Sequence, residues 1–264
     1  MEIILGTQKN IVVLGAGYGG LRTALRLEKL IRPMLDHRII LVDQNRHHQL
    51  ITQIYEVAGG RTPAGAVALP IDRLLGLGRI DFHQARVTGL DLEAKRVFTD
   101  REEISYEQLV VALGSETNFY NIPGMREHSF GLKSLGDACL IGGHIREMLA
   151  LAASQTDAQT RQEALNFVVG GGGFTGVELA AELAEALPEL ASRYGLVPEE
   201  PRVIIVEAGK ALLPGIDGHL VDKATRTLQE KGVEVRRGSP VQSADARGVT
   251  LASGQRIDSR TLIW

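Results

Sequence analysis

Cysteine is nearly absent from this sequence: Cys139 is the only one in 264 residues. A disulfide framework, an all-cysteine metal site and a redox-active cysteine pair are therefore excluded. Any electron transfer must rely on a bound cofactor. Cys139 itself, in ACLIGGHI, is expected to be a small buried thiol. Aromatic residues are few, at 5%, and Trp264 is the only tryptophan. Surplus positive charge is also lacking, because 29 Lys and Arg face 32 Asp and Glu for a net charge of −3. Nothing here would neutralise a phosphate backbone, so nucleic acid is not an expected partner. No run of about 18 apolar residues exists, and no segment reads as a membrane span. The N-terminus, MEIILGTQKN, has an early Glu and no long apolar core, unlike a secretory signal. A reducing cytoplasm fits these absences.

What remains is globular. Hydrophobic residues make up 44% and charged residues 23%, and the length suits one large domain or two small ones. Glycine is plentiful, at 30, and it clusters. Residues 10–27 read NIVVLGAGYGGLRTALRL and residues 166–183 read NFVVGGGGFTGVELAAEL, at a constant offset of 156. Each has a β-branched run, Ile11–Leu14 or Phe167–Val169, that suits a buried parallel strand. Each then passes through GxGxxG into a helix-forming stretch. The glycines are Gly15, Gly17 and Gly20, then Gly171, Gly173 and Gly176.

One such triplet is weak evidence, since roughly 0.4 are expected by chance in a chain this rich in glycine. Two in register, each followed by a strand ending in an acid, are far harder to obtain. RIILVD ends at Asp43 and RVIIVE at Glu207, 23 and 31 residues past the last glycine. The chemistry explains the spacing. The first glycine permits a tight turn, the second leaves room for a pyrophosphate, and the third lets helix and strand pack closely. The helix N-terminus offers free N–H groups to phosphates. The terminal acid accepts hydrogen bonds from a ribose and repels a 2′-phosphate, which favours FAD or NAD over NADP. Lys210 is a nearby charge of opposite sign.

The repeat continues. Polar, alternating stretches, FHQARVTGLDLEAKRVFTDREEISYEQLVVALG and EVRRGSPVQSADARGVTLASGQRIDSRTLIW, predict an antiparallel meander after each βαβ unit. Aligning ISYEQLVV with IDSRTLIW sets Trp264 opposite Val111, so the second copy reads as stopping inside its last strand. The expected fold class is α/β: two Rossmann-like dinucleotide-binding domains with βαβ units and antiparallel meanders. NFYNIPGM marks the boundary, giving domains 1–120 and 121–264. LGDACLIGGHIREMLALAASQ predicts a helix leading into the second glycine strand.

IVVLGAGYGG, YEVAGG, LVVALGSETNFYNIPG, FGLKSLGDA, GGGGFTGVELAAELAE and PRVIIVEAGKALLPG together resemble type II NADH dehydrogenases. These are NADH:quinone oxidoreductases of the FAD-dependent pyridine nucleotide-disulfide oxidoreductase superfamily. The resemblance implies FAD on the first copy, at Gly15, Gly17, Tyr18, Gly19, Gly20 and Asp43. It adds Val87 near the adenine, Ala112 and Gly114 near the flavin, and Thr52 on the flavin side. NADH would lie on Gly171, Gly173, Phe174, Thr175, Gly176 and Glu207. Glu178 matches the glutamate beside the stacked rings and is the catalytic candidate, although spacing alone assigns Glu178 and Glu182 to a solvated helix face.

The same resemblance implies hydride transfer from NADH to FAD, then two electrons to a quinone. It implies attachment at the inner face of the membrane and a possible homodimer. The matching families continue through a Gly-Asp flavin motif and C-terminal amphipathic helices. Those are missing here, which reads as a C-terminal truncation. Other readings are a flavin NAD(P)H reductase or oxidase with another acceptor, and a non-catalytic NADH-binding relative. The seven histidines lack ligand spacing and no metal is expected; the adjacent His47 and His48 suit a turn. Lys133 suits either a helix start or a phosphate contact.

Overall fold

A computed structural model describes residues 9–31, 33–34, 36–76 and 78–264. They form two compact units. The first comprises the described residues through Leu50 together with Ala68–Ser115, and the second Ile51–Val67 with Glu116–Trp264. The chain thus changes unit at 50, 67 and 115, whereas the sequence suggested one boundary after residue 120. The excursion has a packing cause: the short helix Ile54–Ala58 lies against the helices Leu135–Ser154 and Phe174–Arg193 of the second unit.

The first unit is built on a parallel sheet in the order Ile80–Gln84, His37–Asp43, Lys9–Leu14, Gln108–Val111. Numbered along the chain this is 3-2-1-4, the order of a Rossmann-like half. Both faces of the sheet are covered, which is why its strands are continuous apolar runs. Ile11, Val13, Ile39 and Leu41 pack with Leu21 and Ala24 of the helix Tyr18–Leu30. Val12, Leu14, Ile40 and Val42 pack with Val97 and Ile104 of the antiparallel sheet Val87–Asp91, Arg96–Thr99, Glu103–Ser105. Burying each such side chain contributes about 1.5–3 kcal/mol.

The second unit repeats the plan. Its parallel sheet runs Glu234–Arg236, Arg202–Val206, Asn166–Gly170, Thr261–Ile263, again 3-2-1-4. Its antiparallel sheet is Val241–Asp245, Gly248–Leu251, Arg256–Asp258. Val168, Ile204, Val206 and Leu262 pack with Val249, Leu251 and Ile257. The correspondence extends to details. Register shifts fall between Val87 and Gly89 and between Val241 and Ser243, at matching points of the two meanders. Val13 pairs with Val110 and Val169 with Ile263, the register that sets Trp264 opposite Val111.

One local expectation is corrected. Cys139 is exposed, not buried. Its helix buries the face of Ala138, Ile141, Gly142, Ile145, Leu149 and Ala152, and Cys139 lies off that stripe. Lys133 precedes this helix as an exposed residue, while Ser134 and Asp137 close a capping box at its start.

Candidate functional site

Both glycine loops sit at the carboxyl end of the first strand of their sheet, where the strand order reverses between strands one and four. Such switch points are where open α/β sheets take ligands. Gly15 N donates to the Val42 carbonyl at 2.7 Å, and Gly171 N to the Val206 carbonyl at 2.8 Å. Both glycines have positive φ, +94° and +95°, a region costly for other residues. A β-carbon on Gly20 would overlap the Gly15 carbonyl, and one on Gly176 the Gly171 carbonyl. Only glycine lets each helix approach its loop this closely. Gly17 and Gly173, in contrast, have no atom within 4 Å of a built β-carbon. Each is also the N-cap of its helix, with no side-chain cap on the first-turn N–H groups. Those donors are left for an anion.

The acids do more than their spacing predicted. Asp43 Oδ2 accepts from Ala16 N at 2.7 Å, while Oδ1 accepts from Asn45 N at 2.8 Å. Glu207 Oε2 accepts from Gly172 N at 2.6 Å and Oε1 from Gly209 N at 2.5 Å. Ala16 and Gly172 are equivalent positions of the repeat. Each acid therefore braces its own glycine loop; Asp43 Oδ1 also accepts from Asn45 Nδ2 at 3.2 Å, so Asp43 Oδ2 and both Glu207 oxygens keep a second lone pair for a ribose hydroxyl.

His48 was missed as a support. It lies in the short strand His47–Gln49 paired with Ala68–Pro70, not in the expected turn. Its ring is buried, and Nδ1 is 2.8 Å from the Ala16 carbonyl. A carbonyl only accepts, so Nδ1 carries the proton. The Tyr18 ring meets His48 edge-on, at 4.9 Å between centroids. A lone histidine gives no sequence signal for this role, because its partner is a backbone atom 32 residues away.

The remaining first-copy residues lie as follows. Gly19 is exposed beside Tyr18 on the opening turn of the helix. Ala112 N donates to the Leu14 carbonyl at 2.8 Å, and Ala112 O occupies the space a Gly15 side chain would need. Gly114 follows with φ of +82°, and Val87 opens its meander strand. Thr52 is exposed in the turn before Ile54–Ala58, within the second unit and not the first. Phe174 and Thr175 are exposed at the start of the second glycine helix.

On that helix the two glutamates part company. Glu178 is exposed, yet local desolvation raises its carboxyl above the usual carboxylate range. Burial, then the charge of Glu178, raises the Tyr55 hydroxyl, which places these two groups near one another. Glu182, expected on a solvated face, is only 3% exposed. Arg61 Nε donates to Glu182 Oε1 at 2.7 Å and Arg61 Nη2 to Oε2 at 2.5 Å. Arg61 Nη1 also reaches Glu185 at 2.7 Å. Gly59 makes this burial possible: its built β-carbon would stand 2.5 Å from Glu182 Oε1 and 2.6 Å from Cγ. Among the described residues, no group of three or more His, Cys, Asp or Glu could hold a metal ion.

The family model for pyridine nucleotide-disulphide oxidoreductases matches residues 9–264. The chain belongs to this family. It is 32% identical over 260 residues to the type II NADH:quinone oxidoreductase of Staphylococcus saprophyticus, covering 97% of this chain and 64% of that relative. The chain thus spans just under two thirds of the relatives it matches. Among solved structures it resembles NDH2 from Plasmodium falciparum in complex with NADH, at TM-score 0.88 and 21% identity, covering 97% of this chain and 55% of that one. The sulfide:quinone oxidoreductase of Aquifex aeolicus follows at TM-score 0.74 and 19% identity, covering 97% and 58%. At those identities the structures attest the fold, an α/β architecture of paired Rossmann-like units.

Proposed function

We propose that this chain forms the dinucleotide-binding part of an NADH-oxidising flavoprotein that delivers two electrons to a quinone. The carrying observation is the pair of equivalent, open glycine loops, each braced by a strand-end acid. The resident flavin fits the first loop. An open floor at Gly17, an uncapped helix start at Tyr18 and the braced Asp43 are what a pyrophosphate and ribose require. The residues holding FAD would be Gly15, Gly17, Tyr18, Gly19, Gly20 and Asp43, with Val87 at the adenine and Ala112, Gly114 and Thr52 toward the flavin. FAD, when bound, supplies the acceptor for a hydride and the donor for a quinone.

NADH is the substrate of the second loop. Gly171, Gly173, Phe174, Thr175 and Gly176 take its pyrophosphate, and Glu207 its adenosine ribose. Glu178 stands one helical turn past this loop. Desolvation raises its carboxyl above the ordinary value, and the resemblance matches it to the glutamate beside the stacked rings. This makes it the catalytic candidate of the site. The quinone reading rests on the resemblance to the staphylococcal enzymes. Among the described residues no helix is long and apolar enough to cross a membrane, and contact with a membrane surface and pairing into a homodimer belong to the same proposal.

The test is anaerobic mixing of FAD-loaded protein with NADH, followed by a soluble quinone. NADH should bleach the flavin absorbance and the quinone restore it. Glu178→Gln should slow the bleaching by about tenfold or more, as misplacing a reacting group does. Flavin that NADH leaves oxidised would overturn the proposal, and an unchanged rate in the variant would remove Glu178 from it.

A further inference from the structure

The excursion Ile51–Val67 carries a helix, Ile54–Ala58, that packs on both Leu135–Ser154 and Phe174–Arg193 of the second unit. Toward Leu135–Ser154, a β-carbon built on Gly142 stands 3.2 Å from the carbonyl oxygens of Val57 and Ala58. Toward Phe174–Arg193, the contacts advance along both segments together. Gly59 meets Glu182, and Arg61, two residues on, reaches Glu182 and then Glu185. The excursion and the helix therefore run in the same direction there. Gly59 N donates to the Tyr55 carbonyl at 2.9 Å, so Tyr55 lies one helical turn before Gly59. Glu178 lies one turn before Glu182, on the same side of its helix. Stepping back one turn on each segment brings half-buried Tyr55 alongside Glu178.

The electrostatics agree with this placement. Burial raises the Tyr55 hydroxyl, and Glu178 is the strongest charge acting on it, ahead of Glu56 and Glu182, with Arg61 opposing. The hydroxyl is therefore an uncharged donor at neutral pH. The neighbouring acids are already engaged. Glu182 is held by Arg61, and Glu56 Oε2 accepts from Thr62 Oγ1 at 2.7 Å. Glu185 is shared by Arg61 and Lys231, and Arg146 of Leu135–Ser154 faces Gly60. Of the three acids acting on Tyr55, only Glu178 has no hydrogen-bond or ion-pair partner among the described residues.

We propose that Tyr55 is a positioning residue for Glu178: its hydroxyl donates to that carboxylate and sets where the group points at the nicotinamide end of the second site. This rests on the reading of Glu178 as a site residue and deepens it. The Arg61–Glu182 clamp and the close seat at Gly142 fix the docked helix. Tyr55 thus arrives pre-oriented and gives up little freedom in making the bond. A neutral donor aimed at a carboxylate favours its charged form, which opposes the desolvation acting on Glu178.

The test has two readouts. Carbon-13 NMR of the glutamate-labelled full chain follows the Glu178 carboxyl through a pH titration, with Glu178→Gln assigning the signal. It needs neither FAD nor turnover. Tyr55→Phe keeps the ring and removes the donor, so the Glu178 midpoint should rise by about half a pH unit or more, roughly threefold in proton affinity. Rapid mixing of FAD-loaded protein with NADH gives the second readout. Tyr55→Phe should slow flavin reduction by about threefold or more. It should add nothing in a Glu178→Gln background, because Tyr55 acts through that carboxyl. A merely structural tyrosine would leave the Glu178 midpoint in place and slow both backgrounds alike. An unmoved midpoint, or losses that multiply in the double variant, overturns the proposal. If Glu178→Gln alone reduces its flavin at the parent rate, the reading of Glu178 beneath the proposal fails instead.

Discussion

Arg61→Ala is the perturbation that separates a structural ion pair from a decorative one. Glu182 is 3% exposed and wedged over Gly59, so removing Arg61 strands a carboxylate with no counter-charge. Breaking a fully buried pair this way costs about 3–5 kcal/mol. The Arg61 side chain, however, is 47% exposed, so water partly replaces it. The expected loss is therefore about 2–3 kcal/mol. Glu182→Gln keeps an oxygen for Arg61 and deletes the charge, at a cost of about 1 kcal/mol. The double variant should be more stable than Arg61→Ala alone, because it strands no charge. Trp264, the only tryptophan, reports on the same unit; its Nε1 donates to the Asn118 carbonyl at 2.8 Å. Urea unfolding followed by its fluorescence should show the Arg61→Ala midpoint lowered by about 1–1.5 M, for a slope of about 2 kcal/mol per molar. A loss below about 1 kcal/mol would place the pair with ordinary surface ion pairs and refute the reasoning. So would a double variant that loses the sum of the singles.

His48→Phe should keep the ring packing at Tyr18 while leaving the Ala16 carbonyl unmet, at about 1–3 kcal/mol. Lower flavin content after purification and a lower urea midpoint by circular dichroism would register it; unchanged values in both would remove His48 as a loop support. Asp245 gives a pH signature. Hydrogen bonds from Arg256 hold its carboxyl down at about 2, against an ordinary 3.8. A depressed pKa contributes stability that is complete above the unfolded value and lost as pH falls toward about 2. The gap in midpoint between the parent chain and Asp245→Asn should therefore stand at neutral pH and close between about pH 4 and 2. A gap constant across that window would contradict the shift.

Much of the architecture was legible because it is written in local patterns. Apolar runs named the buried strands, GxGxxG named the turns, and the constant offset named the duplication. Ser134 with Asp137 even closed a capping box where a helix start was expected. The failures share a cause. Cys139 and Glu182 were assigned from single-residue tendencies, and which face of a helix is covered depends on what packs there. Ile54–Ala58 crosses from the first unit's sequence into the second unit's packing, and only that crossing brings Gly59 and Arg61 onto Glu182.

The sequence by itself determined the two βαβ units, their glycine loops and the acids that close them, because backbone geometry and strand periodicity act over a few residues. The tertiary structure alone decided what those acids hold, which glutamate is buried, and that Tyr55 comes to lie beside Glu178. Each of these depends on atoms brought together from distant positions, and contacts of that kind leave no spacing to read.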